Sequence, residues 1–163
     1  MSNKIIKIIS GGQTGADRGG LDAAIELGLE HGGACPRGRL AEDGRIPDKY
    51  SMLELFSYKY SHRTEQNVLD ADLTLIFTFG PPKGGSALTV DYAIRHGKPF
   101  LHLDLNKADE YSIEKLIEWL KKNNNGKTIL NIAGSRESSN CGIQKRVYSI
   151  MIQVLKRSID GLL

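Results

Sequence analysis

Short apolar runs alternate with amphipathic stretches along the chain. Runs rich in β-branched residues predict strands at Ile5–Ile9, Leu73–Phe79, Pro99–Leu103 and Thr128–Ala133, with a shorter candidate at Gly33–Pro36. Apolar positions spaced three and four residues apart predict helices at Gly20–Leu29, Arg63–Ala71, Ala87–His96, Ser112–Asn123 and Cys141–Ile159. Strands that are apolar on both faces and alternate with helices are typical of parallel sheets. The sequence therefore predicts the α/β class, with a doubly wound, mostly parallel sheet and helices on both faces.

The domain organisation follows from the length and from the absence of breaks in this pattern. A chain of 163 residues can bury one core, and no linker or repeat divides it, so we expect a single ligand-binding domain over residues 1–163. The charged, turn-rich segment Pro36–Lys59 is expected to run over the sheet edge as an irregular excursion. The last helix carries an apolar stripe that favours packing on the sheet over a subunit interface: Val147, Ile150, Met151, Val154 and Leu155.

Composition and charge exclude several classes of protein. Hydrophobic residues make up 40% of the chain and charged residues 25%, which is ordinary for a globular protein. No apolar run approaches the roughly 20 residues that span a bilayer, and the N-terminus lacks a signal-peptide pattern, so we expect a cytoplasmic protein that does not contact membranes. The net charge of +3 is small and the basic residues are scattered, which argues against nucleic-acid binding.

Cysteine and histidine spacing gives no metal site. The two cysteines, Cys35 and Cys141, form no CxxC or Cys/His pair, so free thiols are expected rather than a disulfide or a zinc site. Both adjoin candidate ligand loops, and a thiol close to the ligand is a second hypothesis. His31 and His96 each precede a glycine, which predicts that they end helices.

The segment from Lys4 to Gly28 predicts a strand, then a glycine-rich loop and then a helix. Its glycines allow backbone N–H groups to converge on an anion at a helix N-terminus, which predicts a phosphorylated ligand, although a tight α/β turn is an alternative. The loop matches neither the P-loop nor GxGxxG. Asp17 alternatively serves as a plain N-cap. The candidate binding residues of this loop are Gly11, Gly12, Gln13, Thr14, Gly15, Asp17 and Arg18.

A second glycine-rich loop also predicts a phosphate site. Gly84, Gly85 and Ser86 follow an apolar strand and precede a helix, so they are candidate phosphate-binding residues, with helix capping by Ser86 or Thr89 as the alternative. Arg37 is a candidate to cover the ligand, and a solvated surface is its alternative role. In a doubly wound sheet, these loops and the one after the last strand should converge at the carboxyl ends of the strands.

Four segments together resemble a known family. They are SGGQTGADRGGLDAAIELG, GGACPRGRLAEDGRIPDKY, RTEQNVLDADLTLIF and GGSALTVDYAIRHGKP. The combination resembles the molybdenum carriers, which include molybdenum-cofactor carrier proteins. That family is similar to lysine-decarboxylase-like phosphoribohydrolases and the DNA-processing protein DprA. The resemblance implies a Rossmann-like fold and a carrier that binds molybdenum cofactor, a phosphorylated pterin, commonly as a homo-oligomer. It also implies molybdoenzymes or cofactor-biosynthesis proteins as partners.

The resemblance also supplies a rival function. The phosphoribohydrolases carry the motif PGGxGTxxE, and residues Gly84 to Asp91 keep its two adjacent glycines. Ala87, Leu88 and Asp91 replace the later glycine, threonine and glutamate of that motif, and the shorter acid at Asp91 weakens the catalytic geometry. The alternatives to a carrier are therefore a nucleotide or phosphoribosyl hydrolase using Asp91, and a nucleotide-sensing domain. No catalytic residue is assigned in the main hypothesis.

Overall fold

A parallel sheet forms the centre of the protein. The computed structural model describes residues 3–107 and 110–163, except for the side chains of residues 110–112. The strands are β1 (Lys4–Ile9), β2 (Glu30–Gly32), β3 (Ala34–Cys35), β4 (Leu40–Ala41), β5 (Gly44–Arg45), β6 (Leu53–Glu54), β7 (Leu73–Thr78), β8 (Phe100–Asp104) and β9 (Lys127–Gly134). Parallel pairing gives the order β2-β1-β9-β7-β8.

Helices cover both faces of this sheet. They are α1 (Ala16–Glu26), α2 (Tyr60–Asp70), α3 (Gly85–Arg95), α4 (Glu110–Asn123) and α5 (Ile143–Ile159). Helices α1 and α5 pack together, and buried residues of α4 such as Leu116 and Leu120 join the same core cluster. Helices α2 and α3 pack together in a smaller cluster that contains Val68 and Tyr92. The predicted α/β class and doubly wound sheet are confirmed.

The strand order creates a switch point at the centre of the sheet. The chain runs from β1 outward to β2, then crosses to β7 and outward to β8, and finally returns to place β9 between β1 and β7. Ile8 of β1 and Leu73 of β7 both pair with Leu130 of β9. Ligands of open α/β sheets bind beyond the carboxyl ends of the strands at such a point. The topology therefore brings together the loops that follow β1, β7 and β9.

The two faces of the sheet differ in polarity. Every residue of β7 is buried; Leu75 and Phe77 lie in the large core cluster on the α1 and α5 side. Thr74, which precedes Leu75 and so points to the other face of the sheet, is also buried and accepts a hydrogen bond from Asn131 of β9 at 3.3 Å. A buried threonine–asparagine pair is unusual in an apolar core, since polar groups need partners when they leave water. The face towards α2 and α3 is thus partly polar near the switch point.

The apolar stripe of α5 packs in the core. All five predicted positions, Val147, Ile150, Met151, Val154 and Leu155, are buried in the large cluster. This confirms core packing as the role of the stripe. Ser158, near the end of the helix, accepts a hydrogen bond through Oγ from the Ile5 backbone at 2.8 Å and so ties α5 to β1.

Two predicted boundaries need correction. The second strand of the sheet is Glu30–Gly32, whereas the predicted segment Gly33–Pro36 contains β3, which pairs with β6 outside the main sheet. His31 lies in β2 rather than at a helix end, because α1 ends at Glu26 and Gly28, with a φ of 67°, turns the chain. His96 is the C-cap of α3, as predicted.

The excursion after β3 folds into short pieces. Strands β4 and β5 form an antiparallel hairpin in which Leu40 pairs with Arg45 and Ala41 with Gly44. Its tip is Glu42–Asp43, and the hairpin lies against the loop after β1. Among the described residues, no helix is long and apolar enough to cross a membrane.

Candidate functional site

A cavity of about 550 Å³ lies at the switch point, within the size range of small-molecule sites. Four segments line it: the loop after β1, the first turns of α2, the loop that leads into α3, and the end of β9 with its following loop. The sheet topology alone accounts for three of these, because the loops follow the central strands. The predicted convergence of loops is therefore present in the fold.

The N-terminus of α3 opens into this cavity. Gly84 is the N-cap, with a φ of 51°, and no side chain caps the helix. A Cβ added at Gly84 or Gly85 would meet no atom within 4 Å, so both glycines face open space. In the described part of the chain no acceptor bonds their two N–H groups, whereas the Ser86 N–H bonds the Lys83 carbonyl at 3.0 Å. Free N–H groups at a helix N-terminus favour an anion.

The loop after β1 uses its N–H groups internally. The Gly12 N–H bonds Ser10 Oγ at 3.2 Å, and the Gln13 N–H bonds Asp17 Oδ2 at 3.1 Å. The Thr14 N–H bonds Oε1 of the Gln13 side chain at 3.1 Å. Three predicted phosphate donors thus have acceptors in the loop or in the first turn of α1. This loop differs from the α3 N-terminus, where the Gly84 and Gly85 N–H groups have no acceptor in the described chain.

Close packing explains two glycines of the first loop. A Cβ at Gly11 would lie 2.3 Å from the Arg63 guanidinium, and one at Gly15 would lie 2.3 Å from the carbonyl oxygen of Ser135. Gly15 also has a φ of 87°, a region that other residues rarely adopt. These glycines allow α2 and the loop after β9 to approach β1. The tight-turn alternative therefore accounts for them without a ligand.

Asp17 and Arg63 form a buried pair at the cavity. Their charged groups are 3.9 Å apart, and Arg63 Nη1 donates to the Gly11 carbonyl at 2.8 Å. Burial raises the pKa of Asp17, and the Arg63 charge and the Gln13 and Gly11 backbone N–H groups oppose that rise. Burial likewise lowers the pKa of Arg63, opposed by Asp17. Asp17 lies in the first turn of α1, whose N-cap is Gly15.

Two arginines contact the ring of Tyr60, the first residue of α2. The Cζ atoms of Arg63 and Arg136 each lie 5.1 Å from the centroid of the Tyr60 ring. All three residues line the cavity, together with Lys83 beside the α3 N-terminus. The charged residues that line the cavity are therefore the cations Arg63, Lys83 and Arg136 and the anion Asp17. Such a balance favours an anionic ligand.

Gln13 has a buried donor without an acceptor. Its side chain is 5% exposed, and its Oε1 accepts hydrogen bonds from the Thr14 and Glu42 N–H groups at 3.1 and 2.9 Å. These two backbone donors fix which end of the amide is the oxygen. Among the described residues, Nε2 has no hydrogen-bond partner, although Gln13 lines the cavity. An unpaired buried donor of this kind indicates a missing acceptor.

The tip of the β4–β5 hairpin holds the polar side chains of the first loop. Arg18 donates to both carboxylate oxygens of Asp43, at 2.6 and 2.8 Å. The Glu42 carboxylate accepts from the Thr14 hydroxyl and, at 2.5 Å, from the Ser138 hydroxyl. Arg18 and Thr14 therefore already have anionic partners within the chain.

Several residues singled out in the sequence lie away from the cavity. Arg37 is exposed and stacks on Tyr58 with its Cζ 5.1 Å from the ring centroid. Asp91 is exposed on α3 and is not part of the cavity lining. Cys35 is fully buried, which raises its pKa, and Cys141 is exposed; neither lines the cavity. Assignment of ligand contacts to the individual residues remains a prediction.

Among the lining residues that the sequence analysis did not single out are Tyr60, Arg63, Asn131 and Arg136. Arg136 had a usable signal, because it stands in the glycine- and serine-rich loop after the last strand. Tyr60 and Arg63 had none, since the start of α2 approaches β1 only in the folded chain. Among the described residues, no group of three or more His, Cys, Asp or Glu side chains is placed to hold a metal ion.

Comparison with known proteins agrees with this architecture. The family model of the circularly permutated YpsA SLOG family matches residues 8–155. A solved structure named "Putative molybdenum carrier protein", from Syntrophus aciditrophicus SB, is similar with 44% sequence identity and a TM-score of 0.88, covering 95% of this chain and 97% of that one. No curated protein matches the chain. These findings confirm the resemblance drawn from the four sequence segments. The chain belongs to the circularly permutated YpsA SLOG family.

Proposed function

We propose that this protein is a carrier that binds a phosphorylated anionic small ligand in the switch-point cavity, with molybdenum cofactor as its cargo. The observation that carries the proposal is the N-terminus of α3, where the exposed residues Gly84 and Gly85 have N–H groups without acceptors from the described chain. A phosphate there would accept both N–H groups and meet the positive end of the helix dipole.

The surrounding charges support an anionic ligand. Lys83 precedes the two glycines, and Arg63 and Arg136 line the same cavity. Arg63 is buried, and its guanidinium has five N–H donors, of which one bonds Gly11. A ligand anion would occupy the remaining donors and offset the cost of keeping this charge out of water. Ser86, buried in the first turn of α3, would add a hydroxyl donor.

The choice of molybdenum cofactor rests on the similar protein from Syntrophus aciditrophicus SB and on the fit of the cavity. A phosphorylated pterin combines an anion for the α3 N-terminus with a small ring system that a cavity of about 550 Å³ can hold. In this proposal the molybdenum is part of the cargo, and the protein contacts the organic portion. The residues that would hold the cofactor are Gln13, Asp17, Tyr60, Arg63, Gly84, Gly85, Ser86 and Arg136.

A hydrolase finds less support in the geometry. A catalytic acid must reach the bond that breaks, and Asp91, the candidate acid, is exposed on α3 outside the cavity lining. Asp17 lines the cavity, but the Gln13 N–H and Arg63 already engage its carboxylate. The proposal therefore assigns no catalytic residue.

A thermal-shift panel with product analysis tests the proposal. The ligands are molybdenum cofactor released from a donor molybdoenzyme, nucleoside monophosphates, ADP-ribose and inorganic phosphate. Ligand at about 100 times its dissociation constant should stabilise the fold by roughly 2.7 kcal/mol. Stabilisation by the cofactor, with the cofactor recovered intact, is the expected result. Release of free base from a nucleotide would contradict the carrier function and support the hydrolase.

A further inference from the structure

Gln13 and Asp17 lie side by side at one end of the cavity. The Gln13 N–H bonds Asp17 Oδ2 at 3.1 Å, and both residues line the cavity. The side chain of Gln13 contributes a buried donor, Nε2, that no described residue accepts. Asp17 contributes a carboxylate that accepts the Gln13 N–H, lies 3.9 Å from the Arg63 guanidinium and can accept further donors through its remaining lone pairs. Two neighbouring residues therefore bring a donor and an acceptor to the same end of the cavity.

This pair is separated from the proposed phosphate site. Gln13 follows β1, whereas Gly84 and Gly85 follow β7, and β9 lies between the two strands. Neighbouring strands are about 4.8 Å apart, so two spacings put these loops roughly 10 Å from each other. One phosphate group cannot reach both ends. A ligand whose phosphate is held at α3 would bring a different part of its structure, such as its ring, to Gln13 and Asp17.

The hydrogen-bond pattern selects the kind of ring. A ring edge that complements the pair must offer an acceptor to Gln13 Nε2 and N–H donors to the Asp17 carboxylate. The 2-amino-4-oxopyrimidine edge, which guanine and pterins share, has a carbonyl oxygen beside a ring N–H and an amino group. Adenine presents an amino donor where that edge has its carbonyl oxygen, which would leave Nε2 unpaired. Burial raises the pKa of Asp17, and N–H donors from such a ring would oppose that rise by stabilising the charged carboxylate.

We infer that Gln13 and Asp17 are the specificity-determining residues of the cavity and that they select a phosphorylated ligand with a 2-amino-4-oxopyrimidine ring. The inference rests on the proposed function, because the phosphate at α3 positions the ring. The β4–β5 hairpin takes part as a positioning element: the Glu42 N–H holds Gln13 Oε1 at 2.9 Å and so directs Nε2 away from the hairpin.

The test measures dissociation constants by calorimetry for three probes: GMP, neopterin monophosphate and AMP. The first two carry the proposed edge in its two chemical forms, and AMP keeps the phosphate but lacks the edge. In the unmodified protein, at least one of the first two should bind about tenfold or more tightly than AMP. Equal affinity for all three probes would overturn the inference while leaving the phosphate site intact.

Two variants assign the discrimination to the residues. Gln13→Met removes the amide at nearly constant length, and Asp17→Asn removes the acceptor charge while keeping an oxygen for the Gln13 N–H. Each should weaken the preferred probe by about tenfold and leave AMP within about twofold. Gln66→Met is the matched control, since Gln66 bonds Asp70 on the surface of α2. Thermal midpoints and circular dichroism verify the folding of each variant.

The possible outcomes separate the two proposals. Loss of discrimination in Gln13→Met, with AMP binding retained, supports the inference. Discrimination that persists in both variants overturns it, because other residues would then select the ring. Binding of none of the probes overturns it as well. If molybdenum cofactor also fails to bind, the proposed function falls with it; if the cofactor binds, only the assignment of the ring is lost.

Discussion

Arg18 of α1 and Asp43 of the β4–β5 hairpin form a bidentate ion pair, with N–O distances of 2.6 and 2.8 Å. Arg18 is 6% exposed and also donates through Nε to the Gly12 carbonyl at 3.0 Å. One side chain therefore fixes both the glycine-rich loop and the hairpin that covers it. Arg18, which the sequence analysis offered as a ligand contact, bonds a carboxylate of its own chain in this structure.

Asp43→Asn should loosen the hairpin. The variant removes the charge that both terminal nitrogens of Arg18 contact, but the Asp43 side chain is 47% exposed, so solvent screens the pair. We expect a loss of about 1 kcal/mol in the free energy of unfolding, measured with urea, and faster hydrogen exchange at residues 40–46. Asp48→Asn is the control, because its partner Arg45 lies on the surface. Unchanged exchange in the hairpin of Asp43→Asn would contradict the role assigned to the pair.

Acid should loosen the same hairpin. The Arg18 hydrogen bond lowers the pKa of Asp43, and hydrogen bonds from Ser138 and Thr14 lower that of Glu42 against the opposing effect of burial. A group with a depressed folded pKa stabilises the fold above its unfolded pKa, and that contribution disappears as the pH falls through the folded pKa. Corrected for the intrinsic rate, hairpin exchange should be constant above about pH 5 and accelerate below it. A hairpin protected equally at pH 6 and pH 3 would argue against this coupling.

Gly134→Ala should damage the junction of β9 and β7. An added Cβ would lie 2.0 Å from the Phe77 carbonyl oxygen, a contact that requires backbone movement. We expect the free energy of unfolding to fall by about 3 kcal/mol or more in urea titrations. Gly126→Ala is matched to it, since Gly126 also has a positive φ but open space around it, and should cost only about 1 kcal/mol. Similar losses in both variants would show that backbone conformation, not the close approach, dominates.

Arg136→Gln should weaken the binding of anionic ligand. The Arg136 side chain is 43% exposed, its guanidinium lies over Tyr60 and the residue lines the cavity, so its loss should reduce affinity for molybdenum cofactor by roughly fivefold at low salt. The difference should shrink as ionic strength rises. Arg95→Gln is the matched control, because Arg95 stacks on Tyr92 5.2 Å from its ring centroid but does not line the cavity. Equal effects of the two substitutions would point to general charge attraction.

The sequence predicted the order of elements well, because buried parallel strands and amphipathic helices have distinct periods. It misplaced β2, since Glu30–Gly32 is polar and short and becomes a strand only through backbone pairing with β1 at the sheet edge. It could not show that Gln13 and Asp17 bind the N–H groups of the first loop, because glycine spacing does not reveal side-chain acceptors. Arg63 and Tyr60 were missed for a related reason: they reach the cavity through the packing of α2.

The most direct test of phosphate binding at α3 is the affinity of Gly85→Pro for molybdenum cofactor. Residue 85 is the first residue of α3, a position where proline fits a helix and removes only an N–H group that has no partner within it. Gly85→Ala keeps that N–H and places its Cβ in open space. The account predicts that Gly85→Pro binds roughly tenfold more weakly than Gly85→Ala, with similar thermal midpoints. Equal affinity of the two variants would contradict it.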